Sequence, residues 1–107
     1  MANFKDREKG FEAKFKRDEE FRFRVTARRN KLLGLWAAEK MGLSGDAAET
    51  YGKDVVKADF DEPGDDDVLR KVLGDLQAKG VDASEHLVRK HMDELMATAV
   101  EQVNAEA

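Results

Sequence analysis

Cysteine is absent from this chain, which excludes disulfide bonds, thiolate catalysis and cysteine-bound metals. That absence suits a reducing compartment. There is one proline, Pro63, near the middle of the chain, where it marks a natural break. Aromatics make up only 7% of the residues, and Ala, Leu, Glu, Lys and Arg abound, so helices are favoured over strands. No apolar run approaches the roughly 20 residues needed to cross a bilayer, and the N-terminus lacks the apolar core of a secretory signal. A soluble, cytoplasmic protein is the expectation, with no membrane insertion. At 107 residues the chain suits one domain with a small core, not a deep cleft between two lobes.

Charge is present in abundance and is unevenly placed. Residues 1–31 hold eleven Lys or Arg against six Asp or Glu, a balance of +5. Residues 32–107 hold eight against seventeen, a balance of −9, which together give the net −4 of the whole chain. Such asymmetry predicts that the two segments do different jobs.

The apolar pattern predicts four helices. Over residues 4–41, Phe4, Phe11, Phe15, Phe21, Val25, Leu32, Leu33 and Trp36 fall within an arc of roughly 120° at helical spacing. The stripe is sparse at first and Gly10 interrupts it, so residues 21–41 read as a core helix and the residues before them as its frayed extension. Gly42 is placed to end this helix, and Ser44 and Asp46 to start the next. That second helix is predicted over residues 45–60, burying Ala48, Tyr51 and Val55 despite the internal Gly52. The turn DEPGDDD follows. Val68, Leu69, Val72, Leu73 and Leu76 define a third helix over residues 66–79, closed by Gly80. The stretch DASE opens the last helix, capped by Asp82 or Ser84, and Val88, Met92, Leu95, Met96, Ala99 and Val103 form its apolar stripe. Short connections between four helices imply an all-α, antiparallel four-helix bundle.

The chain carries little that points to catalysis. His86 and His91 are five residues apart on one helix and point in different directions, matching no zinc spacing. Ser44 and Ser84 are explained by helix capping. Asp61, Glu62, Asp65, Asp66 and Asp67 do not follow the calcium-loop spacing, and no phosphate-binding GxxxxGK[ST] loop exists. No metal, and no cofactor of necessity, is therefore expected, and the chain does not read as an enzyme. The run ARRNKLLGLW is basic, which raises nucleic acid as a partner, but the acidic remainder would repel phosphates and no recognition motif is present. No nucleic-acid partner is expected. Arg28, Arg29 and Lys31 are candidates for a surface anion contact, including weak binding of ATP or ADP; the bland reading lays Arg28 and Arg29 over carboxylates of a neighbouring helix, their stems packed on the bundle. On the anion reading the chain is a small nucleotide- or anion-sensing helical protein.

The opening stretch NFKDREKGFEAKFKRDEE stands apart. Twelve of its eighteen residues are charged, and its large apolar residues are Phe4, Phe11 and Phe15. Three phenylalanines and the backbone hydrogen bonds of the segment do not clearly offset the entropy of ordering it unaided. An external groove that received them at i, i+7 and i+11 would tip the balance, giving a helix that folds as it docks. The competing reading has the phenylalanines capping the open end of the bundle.

The runs FKDREKGFEAKF, DEEFRFRVTARRNKLLGLWAAEKMGL and DVVKADFDEPGDDDVLRKV resemble the zeta subunit family of α-proteobacterial F-type ATP synthases, over nearly the whole chain. The resemblance implies an inhibitor: a bundle whose N-terminal segment inserts between subunits of the catalytic head beside the rotor shaft, becomes helical there, and blocks rotation in the hydrolysis direction while permitting synthesis. Carried over, the inhibitory segment is residues 1–18 and the bundle domain residues 19–107. Phe4, Arg7, Phe11, Lys14 and Phe15 match the family pattern and are the expected partner contacts. The implied partners are the alpha, beta and gamma subunits of the head, on the cytoplasmic side of the membrane-bound enzyme. Gly10 would add flexibility to the segment and reduce inhibitory strength.

Overall fold

A computed structural model describes the backbone of residues 4–61 and 64–106, with side chains over 18–59 and 64–106. Four helices follow one another: α1 (Phe4–Lys40), α2 (Gly45–Asp61), α3 (Asp65–Ala78) and α4 (Glu85–Ala105). The described residues form no strand. The expected all-α, four-helix architecture is thus the one observed. Two helices end in the same way. The N–H of Leu43 donates to the Ala38 carbonyl at 2.8 Å and that of Val81 to the Leu76 carbonyl at 3.0 Å. Gly42 and Gly80 make both closures possible by taking φ of 79° and 77°, which side-chain-bearing residues rarely adopt. Of the two caps expected for α4, Ser84 is the one used: its Oγ accepts from the Leu87 N–H at 3.1 Å.

The main core draws on all four helices. Leu33 and Ala37 of α1 meet Val55 of α2, Val68, Leu69, Val72 and Leu76 of α3, and Val88 and Met92 of α4. A smaller cluster joins Val25 of α1 to Ala99 and Val103 of α4, flanked by Phe21, Leu32 and Met96. Trp36 of α1 stacks on His91 of α4 with ring centroids 4.1 Å apart. Low positions of α1 thus face high positions of α4 and the reverse, so the two helices run antiparallel.

The apolar stripes of α3 and α4 are close to those expected, with Leu73, Leu95 and Met96 only half-buried. In α2, Val55 is fully buried but Ala48 and Tyr51 are half-exposed. The largest departure is in α1. Val25 and Leu33 are buried as expected, whereas Phe21, Leu32 and Trp36 are half-buried. Arg29, Asn30, Gly34, Ala37 and Ala38 are buried in addition. The reason is that α1 is packed on several sides, and its side toward α2 is built from small residues. A Cβ added to Gly34 would lie 2.7 Å from the Gly52 Cα, so the two helices touch backbone to backbone. The glycine that weakened the prediction of α2 is what lets α2 approach α1.

Candidate functional site

Helix α1 has 37 residues, against 17, 14 and 21 for its three neighbours. The last turn of α4 lies beside Arg24 and Arg28, through Glu106. Toward its N-terminus α1 therefore runs on past that turn by about 30 Å, at 1.5 Å per residue. The expected partner contacts lie on this extension. Their helical register places positions 4, 7, 11, 14 and 15 within an arc of roughly 100°. The side chains of Phe4, Arg7, Phe11, Lys14 and Phe15 lie outside the described residues. The boundary expected between residues 18 and 19 falls within α1, which crosses it as one helix.

The three cations proposed for an anion contact diverge. Arg28 reaches α4, donating to Gln102 Oε1 at 2.9 Å and to Glu106 Oε1. Arg29 turns to the start of α3, donating to Asp65 Oδ1 at 2.7 Å with its own side chain 2% exposed. Lys31 faces α2, with its Nζ 3.8 Å from Glu49 Oε2. Each thus meets a carboxylate, as the bland reading had it for the two arginines, but on three different helices, where that reading placed both arginines over one. The hydrogen bond from Arg29 holds the Asp65 carboxyl below the usual carboxylate range, against the upward push of partial burial. Arg28 does the same, more than Arg24, for Glu106.

Burial of Arg29 brings Asn30 with it. The Asn30 Oδ1 accepts from Arg29 Nε at 2.9 Å, while its Nδ2 is buried without a hydrogen-bond partner. No periodicity in ARRN announced this pair, because adjacent arginines ordinarily signal a solvated face. The acidic residues after Pro63 are engaged singly: Asp65 with Arg29, Asp66 with Arg89 at 3.1 Å, and Asp67 with Arg70. Among the described residues no three His, Asp or Glu side chains converge as a metal site would require. Between α2 and α3, the Tyr51 hydroxyl donates to Asp75 Oδ2 at 2.8 Å. Burial, then the bond to Asp75, pushes this phenol well above its ordinary pKa, so it stays protonated. No described helix is long and apolar enough to cross a membrane.

Residues 1–102 match the family described as ATPase inhibitor subunit zeta. The chain belongs to that family. A structure solved by NMR in solution is 53% identical to it, covering 79% of this chain and 96% of its own, with a TM-score of 0.70. Among curated proteins no match is found. As a zeta-family member the chain is an inhibitory, non-catalytic subunit that acts on an ATPase.

Proposed function

We propose that this zeta-family chain blocks ATP hydrolysis by a rotary F-type ATP synthase, with the N-terminal part of α1 as the wedge. The partners on this reading are the alpha, beta and gamma subunits of the catalytic head, and the chain works in the cytoplasm on the head of the membrane-bound enzyme. The observation that carries the reading is the length of α1, which outruns the helices packed beside it. A helix end so placed can enter a cleft while the bundle stays outside. Phe4, Phe11 and Phe15 supply apolar anchors on one face, and Arg7 and Lys14 border them. A wedge of this kind favours one conformation of a cycling interface. It acts by binding that conformation more tightly than the others, which is what any inhibitor of a multi-state machine requires.

The test is ATP hydrolysis by the cognate head with and without the chain. Removing residues 1–18, or changing Phe4, Phe11 and Phe15 together to Ser in the full-length chain, is expected to abolish suppression while circular dichroism reports an intact bundle. Equal potency of either variant would reject the wedge. The anion-sensing alternative lacks comparable support, since Arg28, Arg29 and Lys31 open no common cradle. Titrating ATP while following backbone amide shifts separates it, because a wedge alone need show no response.

A further inference from the structure

The bundle carries a second surface on which the arm does not depend. Helices α1 and α2 and the end of α4 enclose an open groove of about 360 Å³. Ala27, Val56 and the buried Val103 give it an apolar lining. Along one side of α1 stand Arg24, Arg28 and Lys31, at i, i+4 and i+7, a basic row about 10 Å long. The row belongs to residues 1–31, which carry +5, and stands against the −9 of residues 32–107.

Each cation of the row has a partner within the chain, and Arg28 has a second in Gln102 at 2.9 Å. Arg24 and Arg28 both bind Glu106, the C-cap residue of α4, with Arg24 at 3.2 Å. Lys31 meets Glu49 only at 3.8 Å. All three cations keep side-chain exposure, 49%, 26% and 45% respectively. Exposed pairs of this kind are weak and exchange readily with other carboxylates.

We infer that this groove docks an acidic segment of a partner protein, and that Glu106 is an internal stand-in for one of the segment's carboxylates. An apolar side chain of the segment sits on Ala27, Val56 and Val103, and acidic residues beside it take over Arg24 and Arg28. The apolar lining favours a polypeptide over a free phosphate, which would leave it unused. Glu49, Glu106 and the acidic remainder of the chain oppose a polyanion such as nucleic acid. The identity of the partner rests on the inhibitor reading: the segment belongs to a subunit of the catalytic head. The groove then anchors the bundle while the arm does the blocking, two contacts joined by one helix, so that each raises the local concentration of the other.

The experiment measures binding of the full-length chain to the immobilised cognate head, with ATP hydrolysis followed in parallel. Glu106→Gln removes the stand-in and is expected to tighten binding roughly two- to fivefold. Glu106→Lys places a like charge in the groove and is expected to weaken it about tenfold, as is Arg24→Glu combined with Arg28→Glu. Glu106 is an exposed helix-end residue, so its variants report even where the double arginine change disturbs folding. Val56→Asp is expected to weaken binding comparably. Unchanged affinity in Glu106→Lys, or weaker binding in Glu106→Gln, would overturn the groove assignment. A native chain that binds with these variant effects but does not suppress hydrolysis leaves the groove standing and rejects the inhibitor reading. A native chain that suppresses hydrolysis with affinities indifferent to all four changes does the reverse, and a native chain that does not bind the head rejects both.

Discussion

Gly34→Ala tests the central packing contact of the bundle. An alanine ordinarily improves a helix interior by about 1 kcal/mol relative to glycine. Here the new Cβ would stand 2.7 Å from the Gly52 Cα, 3.1 Å from Val55 Cγ2 and 3.3 Å from the Gly52 nitrogen. Carbon atoms pack comfortably at about 3.5–4.0 Å. Two of these three contacts are with backbone, so no rotamer change relieves them, and α2 must move away from α1 by roughly 1 Å. Overpacking of this kind costs about 1–3 kcal/mol, and a backbone clash belongs at the upper end. Set against the propensity gain, the net expected loss is about 2 kcal/mol, or on the order of 10 °C in Tm for a domain of this size. Gly74 provides the control. It lies inside α3, and a Cβ there would meet nothing within 4 Å. Gly74→Ala is therefore expected to gain about 1 kcal/mol. Urea and thermal denaturation of the two variants decide the matter. If Gly34→Ala is neutral or stabilising, as Gly74→Ala is expected to be, then the α1–α2 separation is not set by the glycine pair.

The Arg29–Asp65 pair predicts two distinct losses. Arg29→Met removes the charge but strips the buried Asn30 Oδ1 of its donor, at about 1–3 kcal/mol, whereas Asp65→Asn leaves the buried guanidinium without its anion. Because Asp65 is itself 54% exposed, the expected loss is only about 1–2 kcal/mol, below that of a fully buried pair, and paired urea midpoints measure it. The Asp65 pKa is lowered in the folded state, so its contribution is complete above the ordinary value of 3.8 and is lost as pH falls through the lowered one. The stability difference between wild type and Asp65→Asn should accordingly hold at about pH 6 and shrink below pH 3.8; a difference that grew in acid would contradict the assignment. In the arm, Gly10→Ala is expected to raise helicity and to strengthen suppression of hydrolysis by up to about fivefold, since about 1 kcal/mol of helix propensity is recovered; dose–response curves against the cognate head check it.

How much of this was legible in the amino-acid order depends on which interaction set each position. The four helices were legible because Val68, Leu69, Val72 and Leu76, and likewise Val88, Met92, Ala99 and Val103, repeat at helical spacing and do lie in the core. Gly42 and Gly80 were legible as stops because their role is local. Gly34 and Gly52 were not, since each in isolation is a mild helix weakener, and only their opposition across two helices gives them a purpose. Arg29 was half-legible: its carboxylate partner on a neighbouring helix was foreseen, but the completeness of its burial was not. Burial of an arginine depends on a partner 36 residues away, which no window of sequence encodes. The groove between α1, α2 and α4 belongs to the same class, because Val56, Arg24 and Glu106 meet only in three dimensions.

That arm and bundle share α1 changes the energetics of folding on binding. A free peptide with three phenylalanines must first nucleate a helix, fixing several residues for one hydrogen bond, and this is the costly step. An arm that continues an existing helix avoids it. The packed stretch around Val25, Leu33 and Ala37 is the nucleus, and each arm residue then adds one hydrogen bond for one residue ordered. The phenylalanines need only tip a propagation equilibrium that is already close to balance. On the wedge reading the same continuity would aim the arm, because the packing of residues 21–38 against α2 and α4 sets the axis along which it extends. On the wedge reading a charged, weakly apolar arm is an advantage: it has little reason to collapse onto its own bundle, and the partner's groove would supply the apolar contacts its phenylalanines lack.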